Sequence, residues 1–425
     1  VVFFVEIRPT TMNMNRQPLY SAICLVAILA CGTPLAAIRG NPGANARASS
    51  PVADPARVRL PRGALDQILF AQTFDRGVKP GEFRALVQQR AFIWGSSFET
   101  VKLGGYGSYY YPSMRDYDKT HTLAWFERNE PDWLAYDNDR APAHDFEYSW
   151  GAYLGLDFSR QDVRDYLLNT YLIPALKQGY PAIAYDNVGI ENLHHRAGVY
   201  HNGKWVQQYS GEARDPVFAA AVLDYISWVR TQLHARGAAL ALNATLDPLQ
   251  PDFTWKLISL ADVWCDEGGF SQDSRQGIVD QVWQVKYDLA RKKATQGAYV
   301  SINTTAGLFS DVSESEITWI LANFLLVRGE HSYLAITGNK YTGELLGYPP
   351  SFNPPVGRPL EDSHQQGSVY LRNYEHGVVV VNPSSKTSAS FTAPAGNWTD
   401  SRGSPVSGMI KLKPRSGLIL LRVRR

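Results

Sequence analysis

The chain has 425 residues, room for two or three domains or for one α/β barrel of about 250 residues with additions, and far too many for a single small module. With 44% hydrophobic and 19% charged residues it carries the apolar material of a large core and too little charge for a disordered chain. Its 42 basic and 40 acidic residues leave a formal charge of +2, which excludes a broad basic footprint for nucleic acid and a polybasic membrane patch.

From Met12 or Met14 the chain runs through Arg16 into the apolar stretch SAICLVAILACGTPLAA (21–37), too short for a comfortable membrane span. It reads as a secretory signal within residues 1–39, and the residues before Met12 read as an overextended start. Ile28-Leu29-Ala30-Cys31 resembles a lipoprotein signal with Cys31 as the lipid anchor, while small residues near Ala37 and Ala44-Asn45-Ala46 offer ordinary cleavage sites. The expectation is an exported protein, periplasmic or extracellular, with or without that anchor. Of three cysteines only Cys265 lies beyond this segment, so it is expected buried and unpaired. Residues 40–62, rich in Gly, Ala, Pro and Ser, read as a tether.

Eight short apolar runs follow, alternating with amphipathic stretches: ILFAQTF (68–74), AFIWG (91–95), VKLGGYGSYY (101–110), AIAYDN (182–187), ALALN (239–243), ADVWCDE (261–267), AYVSIN (298–303) and SYLAIT (332–337). Helical spacing is plain in residues 159–179 and 215–237, which both end in Gly. Eight β-α units predict an α/β fold, a (β/α)8 TIM barrel over residues 63–345. The second unit fits poorly, since residues 96–100 are too few for a crossover helix. Long aromatic insertions at 111–158 and 188–214 are expected as loops over the C-terminal rim, where a barrel carries its site. A Pro- and Gly-rich stretch marks a linker at 346–365, and alternating β-type runs over 366–425 predict a small C-terminal antiparallel β domain.

A polar residue at the C-terminal end of a barrel strand points into the site. The fourth run ends in Asp186-Asn187, the fifth in Asn243 and the sixth in Asp266-Glu267. Period-two alternation sends Asp266 and Glu267 to opposite faces, and small Cys265 on the face of Glu267, against bulky Trp264 on that of Asp266, favours Glu267 pointing inward. Two carboxylates facing one cleft are what glycoside hydrolysis needs, one to attack or activate water and one to protonate the leaving oxygen. Asp186 is the candidate nucleophile or base and Glu267 the candidate acid. Trp133, Tyr136, Trp205 and Trp264 are candidate sugar platforms. Asn243 and Asn303 could bond sugar hydroxyls or their own turns, Asp157 could bind a hydroxyl or cap a helix, and Asn187 and Asp266 complete the polar set. His194-His195 lacks zinc-site spacing, and GGYG (104–107) lacks the Lys of a phosphate loop, so no metal, cofactor or nucleotide is expected.

The runs LDFSRQDVRDYLLNTYLIPALKQGYPAIAYDNV (156–188), EPDWLAYDNDRAP (130–142) and ADVWCDEGGF (261–270) resemble motifs of secreted glycosidase-like barrels. The similarity is to the hypothetical glycosyl hydrolase-like family and, more distantly, to endo-α-1,4-polygalactosaminidases and the α-galactosidase clan; residues 368–394 resemble the β domain that often follows such barrels. The resemblance implies a nucleophile or base on the fourth strand and an acid on the sixth, which carry over to Asp186 and Glu267. Ala184-Tyr185 departs from the plain aliphatic pair of those families. The expectation is a secreted, monomeric glycoside hydrolase acting on a poly- or oligosaccharide; the alternative is a non-catalytic glycan-binding surface protein on the same barrel.

Overall fold

The apolar runs become strands because each places one row of side chains in a barrel and the opposite row beneath helices, burying both. The computed structural model describes residues 58–423 except 117, 149–150, 245, 272–277, 305–311 and 339–347; the signal segment, Cys31, most of the tether and the expected boundary at 345 lie outside the described residues. The barrel strands are β1 (Leu69–Thr73), β2 (Phe92–Trp94), β3 (Ser108–Pro112), β4 (Ala182–Val188), β5 (Ala239–Ala244), β6 (Val263–Glu267), β7 (Ala298–Thr304) and β8 (Ser332–Thr337). All neighbours pair in parallel, in the order β2-β1-β8-β7-β6-β5-β4-β3. An Ile93–Gly107 bridge and the Ile93 N–H to Tyr106 carbonyl bond, 3.0 Å, bring β2 against β3 and nearly close the ring.

Ala71, Phe92, Trp94, Ala184, Ala241, Cys265, Val300, Tyr333 and Ala335 fill the interior. Small residues on some strands leave room for rings from others, and Phe92 stacks on Tyr333 with centroids 5.8 Å apart. The alternate row, including Ile183, Tyr185, Leu240, Leu242, Trp264, Tyr299 and Leu334, packs under the helices. Those helices are α1 (Phe83–Gln89), α2 (Phe98–Lys102), α3 (Gln161–Leu167, continued through a π turn at Leu168–Leu172 into Ile173–Gln178), α4 (Pro216–His234), α5 (Pro251–Leu260), α6 (Asp280–Gln296) and α7 (Glu314–Val327). Pro174 cannot donate to the carbonyl four residues back, and the ladder of α3 widens just before it.

Two sequence expectations are corrected here. VKLGG is not the start of the third strand: residues 98–102 form α2, helped by a Glu99–Lys102 pair at 3.2 Å, and Gly104, at φ 84°, turns the chain so that β3 begins only at Ser108. The missing crossover is therefore present. Nor are the two insertions simple loops. They share one antiparallel sheet, Ala135–Asp137, Arg196–His201 and Lys204–Gln207, with Val199 paired to Ala135 on one side and Val206 on the other, and the first adds the antiparallel pair His144–Tyr148 and Gly151–Leu154. The hairpin of the shared sheet turns on Asn202-Gly203, both at positive φ (49° and 72°), the two-residue turn that matches strand twist.

The C-terminal strands form a six-stranded antiparallel sheet and a two-stranded one, packed through Val369, Leu371, Val378, Val380, Phe391, Trp398, Leu412 and Leu420. The other face of the larger sheet joins the barrel core through Val379, Val381 and Ile419. Cys265 is buried and forms no disulfide. Among the described residues no helix is long and apolar enough to cross a membrane.

Candidate functional site

Strand alternation carries four inward rows to the C-terminal rim: Ser108 leads to Tyr110 on β3, Ala184 to Asp186 on β4, Ala241 to Asn243 on β5, and Cys265 to Glu267 on β6. Between β4 and β5 the register slips, because Leu242 pairs with Tyr185 but Ala244 pairs with Val188. Asp186 and Asn187 thus oppose Asn243 alone, a bulge in which Asn187 takes φ 55°, a conformation open to Asn but strained for branched residues. The bulge bends β4 where its acid emerges.

One nitrogen ties the two acids together. Asn243 Nδ2 donates to Asp186 Oδ1 at 2.8 Å and to Glu267 Oε2 at 2.7 Å. Those two oxygens are therefore at most about 5.5 Å apart. On its other oxygen Asp186 accepts the Tyr110 hydroxyl at 2.7 Å and the Asn187 amide at 3.2 Å. Tyr110 was not anticipated, although its place at the end of a strand-like run was the available signal.

Glu267 is exposed at the rim, yet the barrel wall around its carboxyl withholds water, and this with the charges of Asp186 and Asp266 raises its pKa; the Asn243 bond opposes the rise. Beneath it, burial and the three acids push the Cys265 thiol far up, so it is inert at neutral pH. Arg115, buried behind the site, is lowered to about 10 by burial and then by Arg196, with Tyr111 and Asp186 acting against that; it stays cationic at pH 7. His194 is lowered to about 4 by burial and by Arg196 and Arg115, so it is neutral there. A second acid pair sits on the loops after β4 and β5. Burial and the neighbouring Asp247 raise the Glu191 carboxyl, and Arg214 reaches both, at 3.3 Å and 3.2 Å.

Four other expected site residues are occupied elsewhere. Trp264 is fully buried against Tyr299, so it offers no face to a sugar. Asp266 is buried too and accepts Lys286 Nζ at 2.7 Å and the Tyr299 hydroxyl at 2.8 Å, which pins α6 to β6. Asn303 accepts the Phe270 N–H at 2.8 Å and donates to the Ala335 carbonyl at 3.1 Å, shaping the turn after β6. Asp157 accepts the Ser159 N–H at 3.1 Å and Gln208 Nε2 at 3.0 Å at the approach to α3. In each case the physical reason is the same, a buried polar or ring group satisfied by the protein itself.

Trp133, Tyr136 and Trp205 belong to the inserted region, all half-buried. Tyr136 meets Tyr200 at 5.0 Å and Trp205 at 6.5 Å between centroids, and Trp133 meets Tyr166 at 4.8 Å. Among the described residues no group of three or more His, Cys, Asp or Glu is placed to hold a metal.

No protein-family model matches the chain, and no curated protein sequence matches it. Among solved structures it shows distant similarity to glycoside hydrolase (β/α)8 barrels. A GH31 dextranase from Flavobacterium johnsoniae, in complex with isomaltotriose, is 10% identical over 85% of this chain and 52% of its own, with a TM-score of 0.45. The glycoside hydrolase domain of PelA from Pseudomonas aeruginosa is 13% identical over 63% of this chain and 94% of its own, with a TM-score of 0.38. A cycloalternan-degrading enzyme from Trueperella pyogenes is 10% identical over 77% of this chain and 51% of its own, with a TM-score of 0.38. The chain thus spans about half the length of the dextranase.

Proposed function

We propose that the chain is an exported glycoside hydrolase that cleaves a poly- or oligosaccharide with retention, Asp186 acting as nucleophile and Glu267 as general acid and then base. The observation that carries this is the shared Asn243 nitrogen, which keeps the nearest carboxylate oxygens within about 5.5 Å, so that both acids can flank one glycosidic bond. The environments divide the work. Asp186 is oriented by donors on both oxygens, as an attacking group must be, while Glu267 sits where burial and two like charges favour the protonated form that a departing oxygen requires.

In the first step Asp186 attacks the anomeric carbon as Glu267 delivers its proton to the leaving oxygen; in the second, Glu267 takes a proton from water, which displaces Asp186. Asn187, exposed beside Asp186, remains a candidate hydroxyl ligand, and Trp133, Tyr136 and Trp205 remain candidate platforms. The test is a panel of bacterial and plant polysaccharides assayed for new reducing ends, with the first-formed anomer followed by NMR. Retention, together with a fall of at least about a thousandfold in Asp186→Asn, is expected. An inverted product, or full activity in Asp186→Asn, would remove Asp186 as nucleophile; binding without cleavage across the panel would favour the glycan-binding alternative.

A further inference from the structure

We infer that Asn243 is a positioning residue for the acid pair, holding Asp186 and Glu267 together at one nitrogen. The inference deepens the assignment above and rests on it. An amide that turns both hydrogens of one nitrogen toward two carboxylates has spent its donors, and only its carbonyl oxygen is left for a substrate. Asn243 is held there by the barrel. Its neighbours on β5, Leu242 and Ala244, are buried, and it is in register with Cys265 on β6 and opposite the bulge on β4.

The amide has two effects on the pair. It fixes the spacing, because two carboxylates without a donor between them repel and would turn apart. It also favours the ionised form of Glu267, which opposes burial and the charges of Asp186 and Asp266. The groups facing Glu267 on the described elements are Asp186 from β4, Asn243 from β5, Cys265 and Asp266 of its own strand, and Ile302 in register on β7. Lys286 of α6 bonds Asp266 instead. Among the described residues the counterweight on the acid itself is thus Asn243. Without it Glu267 would hold its proton to higher pH and serve less well as the base of the second step.

The experiment is a carbon NMR titration of the Glu267 carboxyl in the intact, substrate-free protein, comparing wild type, Asn243→Ala and Asn243→Ser, with folding checked by circular dichroism. In Asn243→Ala the Glu267 midpoint should move up by about one unit, the equivalent of one hydrogen bond to a charged group. Asn243→Ser, whose single hydroxyl proton can serve only one acid, should lie between. In Asp186→Asn, which leaves Asn243 in place, the midpoint should instead fall. On an active substrate the alkaline limb of the kcat/KM profile should follow the same order. An unchanged Glu267 midpoint in folded Asn243→Ala overturns the inference, whatever the activity. Shifted midpoints in a protein that cleaves no glycan would leave the clamp standing and overturn the hydrolase assignment instead.

Discussion

At the scale of single residues, the chemistry depends on which carboxylates the barrel turns toward its C-terminal rim. Asp157 and Asp266 stand beside Asp186 and Glu267 in the sequence as lesser polar candidates, and the structure has the first bonded by Ser159 and Gln208 and the second by Lys286 and Tyr299. Tyr110 marks Asp186 as the different case. Tyr110→Phe should keep the ring packed on Phe74 while removing the hydroxyl from Asp186, lowering kcat/KM by about 10- to 100-fold with little change in melting temperature. A Tyr110→Phe enzyme with wild-type kinetics would show that this bond has no part in turnover. Glu267 makes a prediction about stability. A carboxyl raised in the folded state contributes stability below its unfolded pKa and loses it as the pH rises through the folded value. Glu267→Gln does not titrate, so the melting temperature of the variant should gain on that of wild type as the pH rises above the ordinary glutamate value of about 4. Parallel melting curves across that range would contradict the raised pKa.

At the scale of elements, strand alternation does most of the sorting, and it was legible. Glu267 inward and Asp266 outward followed from Cys265 and Trp264 on the two faces of one strand, and the structure places Cys265 in the barrel and Trp264 under the helices. The third strand was harder, since VKLGG is as apolar as a strand, and only its Gly pair and the Glu99–Lys102 spacing betray a five-residue helix. The Asn202-Gly203 hairpin was open to view in VYHNGKW as a two-residue turn between β-type residues. The bond between α6 and β6 can be tested directly. Lys286→Met leaves Asp266 buried with only the Tyr299 hydroxyl for a partner, so chemical unfolding should show a loss of about 3–5 kcal/mol. The double variant Lys286→Met, Asp266→Leu should recover much of it, and a single variant as stable as wild type would mean that the pair is replaceable by water.

At the scale of the whole molecule, the C-terminal sheet is anchored on helix α7. Arg372 donates to the carbonyls of Leu325 and Arg328 at 3.3 Å and 2.8 Å, and the Tyr374 hydroxyl to that of Leu325 at 2.6 Å, so side chains of the β domain satisfy the open end of α7. Gly417 rests on the same helix so closely that an added Cβ would stand 2.7 Å from the Ala322 Cβ. A Gly417→Val substitution should therefore part the sheet from α7, lowering the melting temperature and splitting one calorimetric transition into two. A single transition at the wild-type temperature would show that the contact yields without cost.

Local pattern encodes the eight apolar runs, the inward face of the sixth strand, the acids at the ends of the fourth and sixth, and the β domain that follows. These are legible because they depend on periodicities of two and 3.6 residues and on which residues tolerate a turn. Long-range packing settles which polar groups are already satisfied, that the two insertions share a sheet, that a bulge sets two residues of β4 against Asn243, and that the nitrogen of Asn243 joins the two acids. Each of these is a contact between residues far apart in the chain, settled by packing and by the cost of burying an unpaired polar group, and no pattern within a short window records it.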